Sequence, residues 1–285
     1  MRNTMVDVSK LMPTDDVLFK KVLGDQYNTE GLIDFLNAVL KPENPIVSVQ
    51  IMNPELTQEH VLVKGARLDV LATTSNDEIV NIECQTYTDP NFITRLLRYW
   101  ALDFTQQTPP GDEYSKVKRT ISIAILTFCL SKDDNRYKKA AGLCDLETHQ
   151  RWTDLMEFYV LQLPNLKHID EADRTTYWMQ FFKDPYSDEA KKVYKKVPVI
   201  KEALRMFEKA KSNDEVLRLI RLREEAQSEV ATRIAEARKE EQEKADAEKR
   251  ESARNLLSAG VDAEVVAKSL SLSIEEINEI KKKIQ

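Results

Sequence analysis

Apolar positions alternate with polar ones in two periods along the chain, and the change between periods predicts the elements. Residues 14–23 place Val17, Leu18, Val22 and Leu23 at helical spacing, with Thr14 as the expected cap and Asp15 and Asp16 at the positive end. A second helix is predicted over 28–40 on Leu32, Ile33, Leu36 and Val39, stopping before Pro42. Strand-like runs follow at 46–52, 64–73 (KGARLDVLAT) and 79–87 (IVNIECQTY), the last two joined by the polar turn 74–78. A helix over 91–107, the breakers Pro109-Pro110-Gly111 and an almost wholly apolar run at 120–130 come next, the last patterned as a buried central strand. A strand at 155–163 and helices near 170–183 and 187–197 complete the predicted globular part.

Beyond Pro198 the pattern changes. All ten prolines lie at or before that residue, and Gly260 is the one glycine after Gly142. Residues 199–251 are predicted to be helical and are about half charged, with an apolar seam at Val216, Ile220, Val230 and Ile234 that fades into alanines. Heptads are not sustained, so this segment reads as a solvated helix that pairs, if at all, near 216–234. Residues 252–285 predict two short helices around Gly260, with a cap at Ser273 and Glu276 three residues on. A DNA-reading helix-turn-helix fits that spacing, but the mixed charges of EEINEIKKKIQ suit a plain helical hairpin better. The expected organisation is therefore a domain at 1–198, a charged helix at 199–251 for oligomerisation, and a small hairpin at 252–285.

Composition narrows the function classes. Of the 285 residues, 42 are Lys or Arg and 48 Asp or Glu, a net charge of −6, which argues against a uniformly basic nucleic-acid coat. Three cysteines without CxxC spacing exclude a disulfide framework, and three scattered histidines recommend no zinc site. No apolar run approaches the ~20 residues of a bilayer span, and the first residues show no apolar leader, so a cytoplasmic protein without membrane contact is expected.

The candidate chemistry lies on the second and third strands. Residues two apart on a strand share a face, so Asn81, Glu83 and Gln85 project together and Cys84 projects the other way. Asp69 lies across the expected hairpin, which would bring its carboxylate towards that of Glu83. Two carboxylates set into apolar strands need compensation, and a divalent cation with oxygen ligands, Mg²⁺ or Mn²⁺, supplies it. An acid on an ordinary sheet edge would carry the same letters.

The order α-β-β-β-α-β, with Asp on the second strand and Glu-x-Gln on the third, resembles the PD-(D/E)XK nuclease superfamily. Within it, TDDVLFKKVLGD (14–25), LIDFLNAVL (32–40), RLDVLA (67–72), NIECQ (81–85), RLLRYWA (95–101), the run 111–126 and the tail 254–281 are similar to the recombination-promoting nuclease (Rpn) and transposase family. The resemblance implies a restriction-endonuclease-like α/β fold, a mixed sheet flanked by helices, with a long C-terminal helical extension. It also implies a metal-dependent DNA endonuclease, acting in recombination, mobile-element or defence biology, with Asp69 and Glu83 as metal ligands. Gln85 stands where the superfamily usually has lysine, though the Rpn-like branch commonly has glutamine. A neutral amide orients by hydrogen bonds but adds no charge.

Supporting residues are less sharply defined by sequence. Glu30 and Asp16 are candidate third acids that also suit helix ends. Lys20 faces either the cleft or solvent. Arg95 and Tyr99, one turn apart, contact phosphate, hold Gln85, or form a packing pair. Residues 191–211 carry a net charge of +6, and Lys191, Lys192, Lys195 and Lys196 are the candidate DNA contacts. A second expectation is a weakly active or inactive nuclease fold that binds DNA or serves oligomeric assembly. A third is a helical oligomer built on 199–285.

Overall fold

The computed structural model describes residues 6–53, 55–57, 69–107 and 113–283. Two short helices come first, α1 (Asp16–Leu23) and α2 (Glu30–Leu40). The cap of α1 is Asp15 rather than Thr14: Asp15 is the extended residue before the helix, and its carboxylate turns back to accept the Met12 N–H at 2.7 Å. Lys41, in the left-handed region at φ 48°, ends α2.

Strands β1 (Val49–Ile51), β2 (Val70–Thr74) and β3 (Ile79–Gln85) follow as antiparallel neighbours. Helix α3 (Phe92–Thr105) crosses to β4 (Thr120–Leu126), which lies parallel to β3 and is buried at every residue, as its unbroken apolar run predicts. Next come β5 (Lys138–Gly142) and β6 (Met156–Gln162), giving a six-stranded mixed sheet in the order β1-β2-β3-β4-β6-β5. The expected α-β-β-β-α-β order and mixed sheet are present. β5 is additional: its sequence KKAAG has poor strand propensity, and it forms because β6 offers it a free edge. The predicted strand residues 64–68 and the breakers 109–111 lie outside the described residues.

Each face of the sheet has its own core. On one face Val70, Ala72, Val80, Ile82, Ile121, Ile123 and Ile125 pack with α1, α2 and three later helices, α4 (Arg174–Lys183), α5 (Asp188–Lys196) and α6 (Pro198–Lys211). Trp178, Phe181 and Phe182 of α4 fill its centre with Phe19 and Phe35. On the other face Ala124, Leu126, Phe158 and Val160 pack under Phe92 and Leu96 of α3.

The segment after Pro198 is two helices. α6 ends at Lys211, and α7 (Asp214–Ser258) restarts behind Asn213, whose side chain accepts the Val216 N–H at 3.0 Å. Neither glycine nor proline is needed for this break. The first compact unit runs to Glu224, because Ile200, Phe207, Val216, Leu219 and Ile220 all belong to the larger core. Val216 and Ile220 of the predicted seam are thus committed internally, whereas Ile234 is exposed.

The second unit, 225–285, comprises the rest of α7, α8 (Ala263–Leu270) and α9 (Ile274–Lys282) around Ala253, Val266, Ile277 and Ile280. Ser273 and Glu276 form the expected reciprocal capping box. No described helix is long and apolar enough to cross a membrane.

Candidate active site

β2 and β3 pair as Val70 with Ile82, Leu71 with Asn81 and Ala72 with Val80. Continuing this register by one residue sets Asp69 opposite Glu83, on the face that carries Asn81 and Gln85. Side chains at such cross-strand positions have Cβ atoms about 5 Å apart. Asp69 is buried, and one carboxylate oxygen of Glu83, Oε1, is fully enclosed. Asn53, just past β1, fixes the approach to Asp69. Its amide donates to the Asp69 carbonyl at 3.1 Å and to Oδ1 at 3.3 Å, and its oxygen accepts the Leu71 N–H at 2.9 Å.

Helix α3 meets this face in a second register. Arg95 donates one guanidinium N–H to Gln85 Oε1 and another to Asp89 Oδ2, the latter at 2.9 Å. Eight residues on, buried Asp103 accepts from the Asn81 amide at 2.6 Å. A rise of 1.5 Å per helical residue against about 3.3 Å per strand residue makes four helix positions nearly equal to two strand positions. Two tied ends, Arg95 to Gln85 and Asp103 to Asn81, therefore put Tyr99 level with Glu83. The other half of the Gln85 amide donates to the Tyr87 carbonyl at 3.3 Å. Gln85 is thus clamped at both its oxygen and its nitrogen. Of the roles open to Arg95, the structure shows the bond to Gln85; Tyr99 is half-buried outside the Leu96 and Trp100 cluster.

Helix α1 closes the same end of the sheet from the opposite face. Cys84 packs against the larger core as expected. Burial pushes its thiol well above the usual range, and the charges of Asp15, Asp16 and Glu83 add to the effect, which places the start of α1 beside the end of β3. Burial also holds Asp15 above the ordinary carboxylate range. The Asp16 carboxylate is paired with Arg223 of α7 at 2.7 Å. Further along α1, Lys20 is only 5% exposed; burial lowers its ammonium and neighbouring Asp69 opposes that shift.

The remaining candidates lie elsewhere. Glu30 is exposed at the start of α2, lining an open depression with Asp34, Lys41, Arg174 and Val199. Helix α5 packs mainly on α4 and α6. Lys191 pairs with Asp188 and Lys196 with Glu171, while Lys192 and Lys195 are exposed. Sequence reading passed over Asn53, Asp89 and Asp103. Asp103 was within reach, because it continues the four-residue spacing of Arg95 and Tyr99.

Among the described residues no group of three or more His, Cys, Asp and Glu is gathered as a metal cage. Two adjacent carboxylates, one buried and one with an enclosed oxygen, fit a hard divalent cation that keeps most of its ligand positions for water. A family model described as PD-(D/E)XK nuclease family transposase matches residues 13–237. No curated protein and no solved structure matches the chain significantly.

Proposed function

Because the chain belongs to the PD-(D/E)XK nuclease family transposases, we propose that it is a divalent-metal-dependent endonuclease hydrolysing phosphodiester bonds in DNA. The observation that supports this most directly is the β2–β3 register, which sets Asp69 against Glu83 at one end of the sheet. PD-(D/E)XK nucleases typically use divalent metals, and here Asp69 and Glu83 would hold Mg²⁺ or Mn²⁺. The cation, when bound, supplies a Lewis acid and lowers the pKa of water near it.

The protein's own contribution is positioning. Gln85, held by Arg95 and the Tyr87 carbonyl, keeps its amide oriented beside Glu83 and directs hydrogen bonds at the water or the scissile phosphate. Hydrolysis forms a bond from the water oxygen to phosphorus, breaks the bridging P–O bond and delivers a proton to the departing oxygen. Tyr99, level with Glu83, is the nearest hydroxyl on α3 to that transfer. The exposed lysines Lys192 and Lys195 supply outlying phosphate contacts, and 225–285 is a segment for assembly or control.

A second reading is favoured by one observation. With one donor and one acceptor of its amide engaged inside the protein, Gln85 keeps half of its hydrogen bonds for water and brings no charge, which suits a fold that binds DNA while cleaving weakly or not at all. Cleavage of supercoiled plasmid with Mg²⁺ or Mn²⁺ decides between them. The nuclease reading expects activity in the full-length protein and a loss of about 100-fold or more in Asp69→Ala and Glu83→Ala. Equal cleavage by these variants refutes the site, and metal-independent DNA binding without cleavage selects the second reading.

A further inference from the structure

Strand β5 is the last strand of the sheet, and its outer edge is open. Ala140, Ala141, Gly142, Leu143 and Cys144 are all exposed, and β6 is the one strand that pairs with β5 among the described residues. The bonds at either end fix the direction of the backbone groups. The Tyr137 carbonyl accepts the Gln162 N–H at 2.7 Å, the Leu143 carbonyl accepts the Trp152 N–H at 3.2 Å, and the Asp145 N–H donates to the Gln150 carbonyl at 2.9 Å. Odd-numbered residues thus bond inward. The alternation of an antiparallel ladder then turns the N–H and C=O groups of Ala140, Gly142 and Cys144 outward.

The devices that usually block such an edge are not set here. Lys138 is turned back to the Val39 carbonyl and lies over the Tyr159 ring at 5.5 Å, and Lys139 pairs with Asp134 at 3.2 Å. No proline falls between Pro110 and Pro164. Large apolar side chains stand beside the edge instead: Leu143 is 43% exposed, Trp152 opposite it 68%, and Leu146 at the hairpin tip 88%. The tip is held in shape by the Asp145 carboxylate, which accepts the Glu147 and Thr148 N–H groups at 2.9 and 2.7 Å.

We infer that β5 is an interface with a second copy of this chain, the two β5 strands pairing antiparallel about a two-fold axis at Gly142 and joining the two sheets edge to edge. The order of side chains along the strand selects this partner. It is basic at its start, at Lys138 and Lys139, small in the middle, and acidic just past its end, at Asp145 and Glu147. A copy running the opposite way sets Lys139 against the partner's Asp145, Ala140 against the partner's Cys144 and Ala141 against the partner's Leu143, with glycine facing glycine at the axis. Facing residues share one side of the sheet, so each Lys139 meets an opposite charge and each exposed Leu143 meets an alanine. Asp134 already holds Arg136 through both carboxylate oxygens, so Lys139 can be shared with the incoming carboxylate. The interface lies three strands from β3 and does not depend on the nuclease reading.

The test is sedimentation velocity of the full chain over micromolar concentrations, with circular dichroism and Tm as checks of folding. The wild type should associate to a dimer as concentration rises. Ala140→Pro removes an outward N–H without touching the β6 ladder, and should weaken association at least about tenfold. Lys139→Glu and Asp145→Lys each set like charges against each other across the axis, and each alone should weaken association about tenfold. Mixing the two proteins restores both opposite-charge contacts in a heterodimer, so the mixture should associate nearly as the wild type does, a recovery that no folding defect in either protein produces. Ala140→Cys should cross-link under oxidation to the partner's Cys144, and Ala140→Cys/Cys144→Ser should not. Should Asp145→Lys fail to fold, the proline variant and the cross-link decide alone. A wild type that stays monomeric overturns the inference, as does an Ala140→Pro protein that associates like the wild type or a mixture no tighter than its components. Cross-linking of Ala140→Cys/Cys144→Ser to itself puts the axis elsewhere and overturns it too.

Discussion

Replacing Arg119 by methionine should destabilise the first unit most at neutral pH and progressively less as acid is added. Arg119 precedes β4 and joins two acids at the amino ends of the parallel strands: Glu78, before β3, at 2.6 Å, and Glu157, on β6. Both carboxylate side chains are 8% exposed. Removing one partner of a buried pair costs about 3–5 kcal/mol, because the other charge is left uncompensated. Three features reduce that figure here. Arg119 is itself 29% exposed, Glu157 keeps Arg151 and the Tyr159 hydroxyl, and Glu78 keeps the Thr74 hydroxyl. A cost of about 2–3 kcal/mol follows, equivalent to a Tm lower by about 5–10 °C in a unit of this size.

The pH dependence has a definite sign. Burial drives the Glu157 carboxyl up, but hydrogen bonds from Arg151 and Arg119 outweigh it and hold the group below its ordinary value. A carboxyl depressed by folding adds stability that is complete above its unfolded value and disappears as pH falls through the folded one. The wild-type and Arg119→Met curves should therefore converge between about pH 5 and about pH 3. Urea denaturation followed by circular dichroism across that range measures the gap. A neutral-pH cost below about 1 kcal/mol, or a gap constant or widening in acid, would refute the reasoning.

Two other expectations rest on contacts away from the metal ligands. Arg95→Met releases the Gln85 oxygen and should lower plasmid cleavage by about 10- to 100-fold with little change in Tm, as loss of an orienting partner does; parallel falls in both would make Arg95 merely structural. Truncation after Glu224 should leave a cooperatively melting protein, whereas truncation after Pro198 removes fully buried Ile200 and Phe207 together with Leu219 and Ile220, and should abolish the thermal transition; sedimentation of the longer truncation also reports whether 225–285 carries any oligomerisation.

The order of elements was legible because each core strand has a period of its own. β4 is apolar throughout and β3 alternates, so both could be placed from local sequence. β5 could not be, since KKAAG has no strand signal and forms only when β6 presents an edge. The division after Pro198 followed proline and glycine, yet the core runs on through Phe207 to Ile220, because burial there depends on long-range packing, as of α6 against α1 and α2. The facing of Asp69 and Glu83 was expected from strand periodicity, and their separation in sequence is spanned by an ordinary hairpin. The clamp on Gln85 was readable only in half, Arg95 by its spacing and Asp89 not at all. Lys20 was undecided for a physical reason. Asp16, Lys20 and Lys21 form one polar stripe of α1, yet Lys20 is buried, because tertiary packing rather than local sequence decides which part of such a stripe meets solvent.

Acidic side chains stand at both ends of the parallel strands, in different settings. At the amino ends Glu78 and Glu157 are matched by Arg119 and Arg151, each acid within reach of a guanidinium. Such matching stabilises the fold and leaves nothing for a ligand. At the carboxyl end of β3 the chain sets Glu83 opposite Asp69, gives the third position of that face to an uncharged glutamine, and has buried Lys20 on the far side of the sheet. Nearby, Arg95 holds Gln85 and Arg223 holds Asp16. An acid pair at the strand carboxyl ends lies where open α/β sheets place their ligands, the position a phosphodiester-binding site would take.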